Sequence, residues 1–221
     1  MNRILLLLCV FGSIASNCPA QSNELAFVIG GTVSPDSSTP FPTTSTRTPL
    51  KISSGITYET VYARRLFNVH IGSGYLELPI VGTPSRTVTA INVATRDFSS
   101  IFFTPSLKLK LRPVAGIAPF FSVGGGFAHF NTTSGAFIGT SPGVSPLVVI
   151  GASENTGALQ FGAGVDLKTP LSRMDLRAEV RDFRTGRPNF QFPVSLLDSD
   201  TQHNLFVGGG IVLHFSLPRR R

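Results

Sequence analysis

The sequence predicts an all-β chain, eight antiparallel strands wound up and down into a transmembrane barrel. Three observations predict it. Apolar residues recur at period two, which places them on one face of a strand. Long and short connections alternate along the chain, so all the long ones fall at one end. The closing strand, His203 to Phe215, sets Leu205, Val207, Gly209, Ile211, Leu213 and Phe215 against Asn204, Phe206, Gly208, Gly210, Val212 and His214. Its apolar face ends in Phe215, six residues before the chain stops. After residue 20 no apolar run reaches the roughly 18 residues of a spanning helix. With 22 Gly and 16 Pro scattered through the sequence, long helices are excluded as well.

Residues 1–20 stand apart. Met1-Asn-Arg3 is a basic start, Ile4 to Ala15 is mostly apolar, and Cys18-Pro-Ala20 puts small residues before a cut at Gln21. That is a secretory signal peptide. The rival is a lipoprotein with Cys18 as its lipidated N-terminus, but Ala15-Ser-Asn-Cys18 lacks the expected Leu and small residue. Cys9 and Cys18 are the 2 cysteines, both in the leader, so a mature chain cut after Ala20 has neither disulfide nor thiol chemistry. The formal charge of +7 could suggest nucleic acid. However, the basic residues form no run except Arg219-Arg-Arg221 in the short basic tail, residues 216–221, and an exported chain offers no such partner.

Between leader and tail, residues 21–215 read as one barrel. Strand one covers Glu24 to Thr32, and Val33 to Lys51 is a Ser/Thr/Pro-rich loop. Strand two runs from Ser54 to Arg64, with a tight turn at Arg65 to Asn68. Strand three covers Val69 to Ile80, with a bulge expected near His70. Val81 to Ser99 is the second long connection, in which Thr87 to Val93 either extends strand three or forms a hairpin. Strand four, Ser100 to Arg112, alternates Phe103, Leu107, Leu109 and Leu111 with Thr104, Ser106, Lys108, Lys110 and Arg112. A short turn at Pro113 to Gly116 leads to strand five, Ile117 to Phe130. Asn131 to Thr156 is the longest loop, around an apolar patch at Leu147 to Ile150. Strand six, Gly157 to Lys168, and strand seven, Arg173 to Phe183, flank a short turn, and Arg184 to Gln202 is the fourth long loop. Strands of this length suit a tilted membrane crossing.

Alternation alone does not separate inside from outside. A soluble periplasmic ligand-binding barrel turns its apolar face inward; a membrane barrel inverts this. The leader, the one-ended long loops and the terminal aromatic favour inversion. With no Trp and 3 Tyr, any aromatic girdle falls largely to the 18 Phe.

Gly162-Ala-Gly-Val-Asp-Leu-Lys168, followed by Met174-Asp-Leu-Arg-Ala-Glu-Val-Arg-Asp-Phe183, resembles the penultimate hairpin of small outer-membrane barrels, the OmpA transmembrane domain and its OmpX-like relatives. The ending, with Gly210, Leu213 and Phe215, resembles the C-terminal signal through which the outer-membrane assembly machinery recognises such chains. The resemblance implies a place in the cell outer membrane, among its lipid and lipopolysaccharide, and loops free to meet a surface ligand.

In an inverted barrel Glu59, Lys108, Lys110, Arg112, Asp166, Lys168, Arg177, Glu179 and Arg181 point into the lumen. Eight strands leave only enough room for side chains, so these groups must pair. They read as a polar plug. The alternative is a narrow anion-favouring channel, because bases outnumber acids in that set. A lipid A-modifying enzyme is the third possibility. Its candidates are His129 near Ser134, and Ser199, Asp200 and His203, but His129-Phe-Asn131 lacks the His-x-Ser pattern of lipid A deacylases. No His/Asp/Glu cluster has metal-ligand spacing. Neither Gly124-Gly-Gly126 nor Gly208-Gly-Gly210 opens a helix as a phosphate loop would. The expectation is therefore a non-enzymatic barrel without cofactor or metal, structural or acting through its outer loops.

Overall fold

The period-two pattern of the sequence becomes the inside and outside of a closed wall. The computed structural model describes residues 22–34, 37–41, 44–90, 94–132, 135–137, 147–149, 153–186 and 201–216. The leader and the tail beyond Ser216 lie outside them, as do Ser134, Ile150, Ser199 and Asp200. The strands are β1 (Ser22–Val33), β2 (Ser37–Phe41), β3 (Thr44–Ile52), β4 (Gly55–Val69), β5 (Gly72–Ala90), β6 (Ala94–Phe103) and β7 (Ser106–Leu111). They continue with β8 (Ile117–Thr132), β9 (Gly135–Phe137), β10 (Leu147–Val149), β11 (Ser153–Lys168), β12 (Met174–Gly186) and β13 (Thr201–Ser216).

The ring runs β1, β4, β5, β6 with β7, β8, β11, β12, β13, every pair antiparallel. It closes where β13 meets β1, with Leu25 opposite Leu213 and Ile29 opposite Gly209. Closure leaves no open edge in the membrane, which is what a lipid-solvated sheet requires. β6 and β7 together make one stave, interrupted at Thr104-Pro105, where proline has no N–H for the ladder. The Pro105 carbonyl instead accepts from Gly125 N at 3.2 Å. Inside–outside parity carries across the break, because Phe102, Thr104, Ser106 and Lys108 are all buried.

Several boundaries differ from the sequence expectation. Arg65 to Asn68 is strand: β4 runs on to Val69, and the turn falls at His70-Ile71. The bulge lies between Arg65 and Phe67, where the Phe67 ring covers Gly74 and leaves no room for a Cβ. The β-branched run Thr87-Val88-Thr89 extends β5 to Ala90 and pairs with β6, so most of Val81 to Ser99 is wall. The first long loop contains the β2–β3 hairpin, and β3 joins β5 with Ile52 opposite Val88. Leu147 to Val149 forms a separate hairpin with β9. The turn after β7 is a two-residue hairpin: Ala115 (φ 50°) and Gly116 (φ 82°) both take the left-handed conformation that matches strand twist.

Outward positions are apolar all round. Phe27, Ile29, Tyr58, Leu78, Ile80 and Ile101 are exposed on β1 and β4 to β6, and Leu107, Phe121, Val123, Phe161, Leu176 and Val207 on β7, β8 and β11 to β13. A soluble barrel would reverse this. The aromatic girdle is thinner than expected, since Phe98, Phe102, Phe120, Phe130, Phe183 and Phe206 are spent inside.

Candidate functional site

The lumen has two halves with different chemistry. Towards the short turns it is a charged network. Lys108 Nζ lies 2.7 Å from Glu24 Oε2 and 2.9 Å from Glu77 Oε1, over the rings of Tyr75 and Phe120. Lys110 Nζ bridges Glu24 Oε1 at 3.1 Å and Asp166 Oδ2 at 2.6 Å. Arg177 grips Asp166 with both prongs, Nε to Oδ1 at 2.8 Å and Nη2 to Oδ2 at 3.0 Å, and stacks 4.6 Å over Phe120. Such two-pronged pairs fix orientation as well as charge. Arg181 closes the network from above. Its Nη2 donates to Glu179 Oε2 at 3.1 Å, its Nη1 lies 3.5 Å from Glu77 Oε2, and its Nε is 3.0 Å from Glu59 Oε1. These side chains are almost entirely out of solvent, with Lys110 the most open at 12%. Charges so buried persist only when paired.

Towards the long connections the lumen is apolar. Phe102 stacks on Phe183 at 4.7 Å and meets Phe130 edge-on at 5.9 Å, and Phe98 tilts against Phe130 at 6.4 Å. Phe206, Val28, Val81, Val88, Ala128 and Ala158 complete a cluster that crosses the barrel. Glycine makes this possible: a Cβ on Gly208 would stand 2.5 Å from the Phe206 ring and 2.8 Å from Val28. Above and beside the rings, hydroxyls chain across three strands, Thr32 to Thr57 at 2.7 Å and Thr57 to Thr83 at 2.8 Å. Arg86 lies here, 1% exposed and 5.5 Å over Phe98, donating to Ser53 O, Asn204 Oδ1 and Ser34 Oγ at 2.9–3.1 Å. Unlike the lower cations it has no carboxylate partner among the described residues.

Of the charged residues expected inside, Glu59, Lys108, Lys110, Asp166, Arg177, Glu179 and Arg181 join the network. Arg112 and Lys168 do not. They have inward parity but stand at the rim, beyond the last full turn of wall, and are exposed. Glu24, Glu77 and Arg86 complete the buried set without having been singled out. Glu24 shares parity with Ala26 and Val28, and Glu77 with Tyr75, which is the signal that points to them. The correction matters for charge. By formal charge Glu24, Glu59, Glu77, Asp166 and Glu179 equal Arg86, Lys108, Lys110, Arg177 and Arg181 in number.

Three of the 4 histidines have a polar partner, and His214 lies between two, with Glu24 Oε1 3.7 Å from its Nδ1. His129 Nδ1 is 2.8 Å from Asn155 Oδ1, His203 Nδ1 2.8 Å from Asp182 Oδ2, and His214 Nε2 2.9 Å from Asp175 Oδ2. Among the described residues none of these three is hydrogen-bonded to a hydroxyl, and no group of three or more His, Cys, Asp or Glu could hold a metal.

No family model matches the sequence, and no curated protein matches it. Solved structures do. The chain is similar to the outer membrane protein OprG from Pseudomonas aeruginosa, with TM-score 0.54 and 10% identity over 90% of this chain and 97% of that one. The fold is that of the small outer-membrane β-barrels. A second neighbour is neisserial surface protein A, with TM-score 0.51 and 12% identity over 89% of this chain and 100% of that one. With its apolar outer wall, a barrel of this fold belongs in the outer membrane. In such barrels the short turns face the periplasm, so the charged half of the lumen is periplasmic and the aromatic half faces outward. Phe215, 37% exposed, then stands on the outer wall at the periplasmic rim, with Leu213 above it on the same face and Gly210 where β1 approaches too closely for a Cβ.

Proposed function

We propose that this chain is a non-enzymatic barrel of the outer membrane that serves envelope integrity or surface recognition through its outer connections, and not solute passage. One observation carries the proposal: the lumen is occupied across its width, first by paired charges and then by packed phenylalanines. A small barrel filled in this way has its work to do at its surfaces. Its partners on this proposal are lipid and lipopolysaccharide around the wall, the assembly machinery that meets Gly210, Leu213 and Phe215, and a ligand met by the outer loops. Planar-bilayer recording tests it. The refolded barrel should give no stable conductance steps; reproducible steps with ion preference would restore the channel alternative. Incubation with lipid A should release no acyl chains.

A further inference from the structure

The periplasmic rim is not uniform. Arg112, Lys168 and Arg173 are exposed and make no ion pair among the described residues. They belong to neighbouring turns, which Lys168 N ties together by donating to Gly116 O at 2.9 Å. The nearest strand partner of Lys168 is an acid, Asp175, but that carboxylate is taken by His214 at 2.9 Å. Each cation adjoins a residue of the wall: Arg112 follows Leu111, Lys168 follows Leu167, and Arg173 precedes Met174. At about 3.3 Å per residue, that places the charges just beyond the hydrocarbon, at headgroup depth. The same two turns present aliphatic groups to solvent, Val114 at 75% and Leu171 at 59% exposure.

We propose that this sector binds an anionic glycerophospholipid of the periplasmic leaflet. Arg112, Lys168 and Arg173 take the phosphate, and Val114 and Leu171 lie against its glycerol and upper acyl groups. Cations alone would suit any anion. Cations one residue from a lipid-facing wall, beside exposed aliphatic tips, suit a phosphate that carries an apolar body. An acidic protein partner would have to sit within the headgroup layer to reach the same three groups. The proposal rests on the outer-membrane placement of the barrel with its short turns inward, and on nothing about the outer loops.

The test is lipid retention. The full-length mature barrel is refolded into nanodiscs of mixed phosphatidylglycerol and phosphatidylethanolamine, and the lipids that stay bound are counted by native mass spectrometry. Wild type should retain phosphatidylglycerol in excess of its bulk share, less so at high salt. Each charge removed should lower the preference about fivefold, so the triple variant Arg112→Gln/Lys168→Gln/Arg173→Gln should fall to the bulk ratio. Unchanged retention in the triple variant would overturn the proposal. So would inorganic phosphate at equal concentration displacing the lipid, which would mark a free-anion site. Heat-modifiable gel mobility, recorded alongside, separates these outcomes from a barrel that has failed to fold or insert.

Discussion

The two halves of the lumen fill the same cross-section by opposite means. In the periplasmic half, cations and carboxylates are almost entirely out of solvent and each lies against another; Arg181 by itself lies against Glu59, Glu77 and Glu179. In the outer half, Phe98, Phe102, Phe130, Phe183 and Phe206 pack as a soluble core would, and the one buried cation there among the described residues, Arg86, is held by neutral acceptors. The comparison teaches that lumen is not a synonym for polar. A narrow barrel interior must be filled, and either ion pairs or rings with glycine gaps achieve that. The two solutions should fail differently when they are cut.

The largest effect is expected at Arg181→Met. It leaves buried Glu59 and Glu179 without their cation, while Glu77 keeps Lys108, and losing one partner of a buried pair costs about 3–5 kcal/mol. Urea unfolding of barrels refolded in lipid vesicles measures it. Next comes Phe102→Ala, which removes the ring shared by Phe183 and Phe130 and leaves a cavity in the outer layer. A cost of about 3 kcal/mol is expected, with Phe102→Leu recovering most of it. A Phe102→Ala variant as stable as wild type would show that the outer half is not packed as described. The smallest effect of the three is Arg86→Met. It removes hydrogen bonds to Ser34, Asn204 and Ser53 but uncovers no carboxylate, so about 1–2 kcal/mol is expected. Equal losses at Arg86 and Arg181 would erase the distinction between the halves.

Much of this was legible in the sequence, for reasons of range. Strand existence and the closing pair of β1 with β13 follow from local alternation and the order of connections, which one chain displays. Lys108, Asp166, Arg177 and Arg181 could be placed because each lies inside an unbroken alternating run. Arg112 and Lys168 keep the inward parity expected of them but not the depth, because parity gives a direction and not a height; whether a side chain is in the lumen or at its mouth depends on where the neighbouring strand ends. Glu24 carries a weaker signal because it stands at the start of the alternating run, where a single acidic residue looks like a strand end. The inner phenylalanines were hidden for a different reason. Phe102 and Phe103 are adjacent, and an apolar residue on both faces cancels the period-two signal. The β2–β3 extension was masked by Ser, Thr and Pro, which edge strands beyond the membrane tolerate.

The measurement that bears most directly on the account is a double-mutant cycle between Arg181 and Glu179, hydrogen-bonded at 3.1 Å in the buried network. Unfolding free energies are compared for wild type, Arg181→Met, Glu179→Gln and the double variant. If the lower lumen is held by mutual charge, Arg181→Met should cost at least about 1 kcal/mol less once Glu179 is already neutral. Strict additivity of the two changes would contradict it.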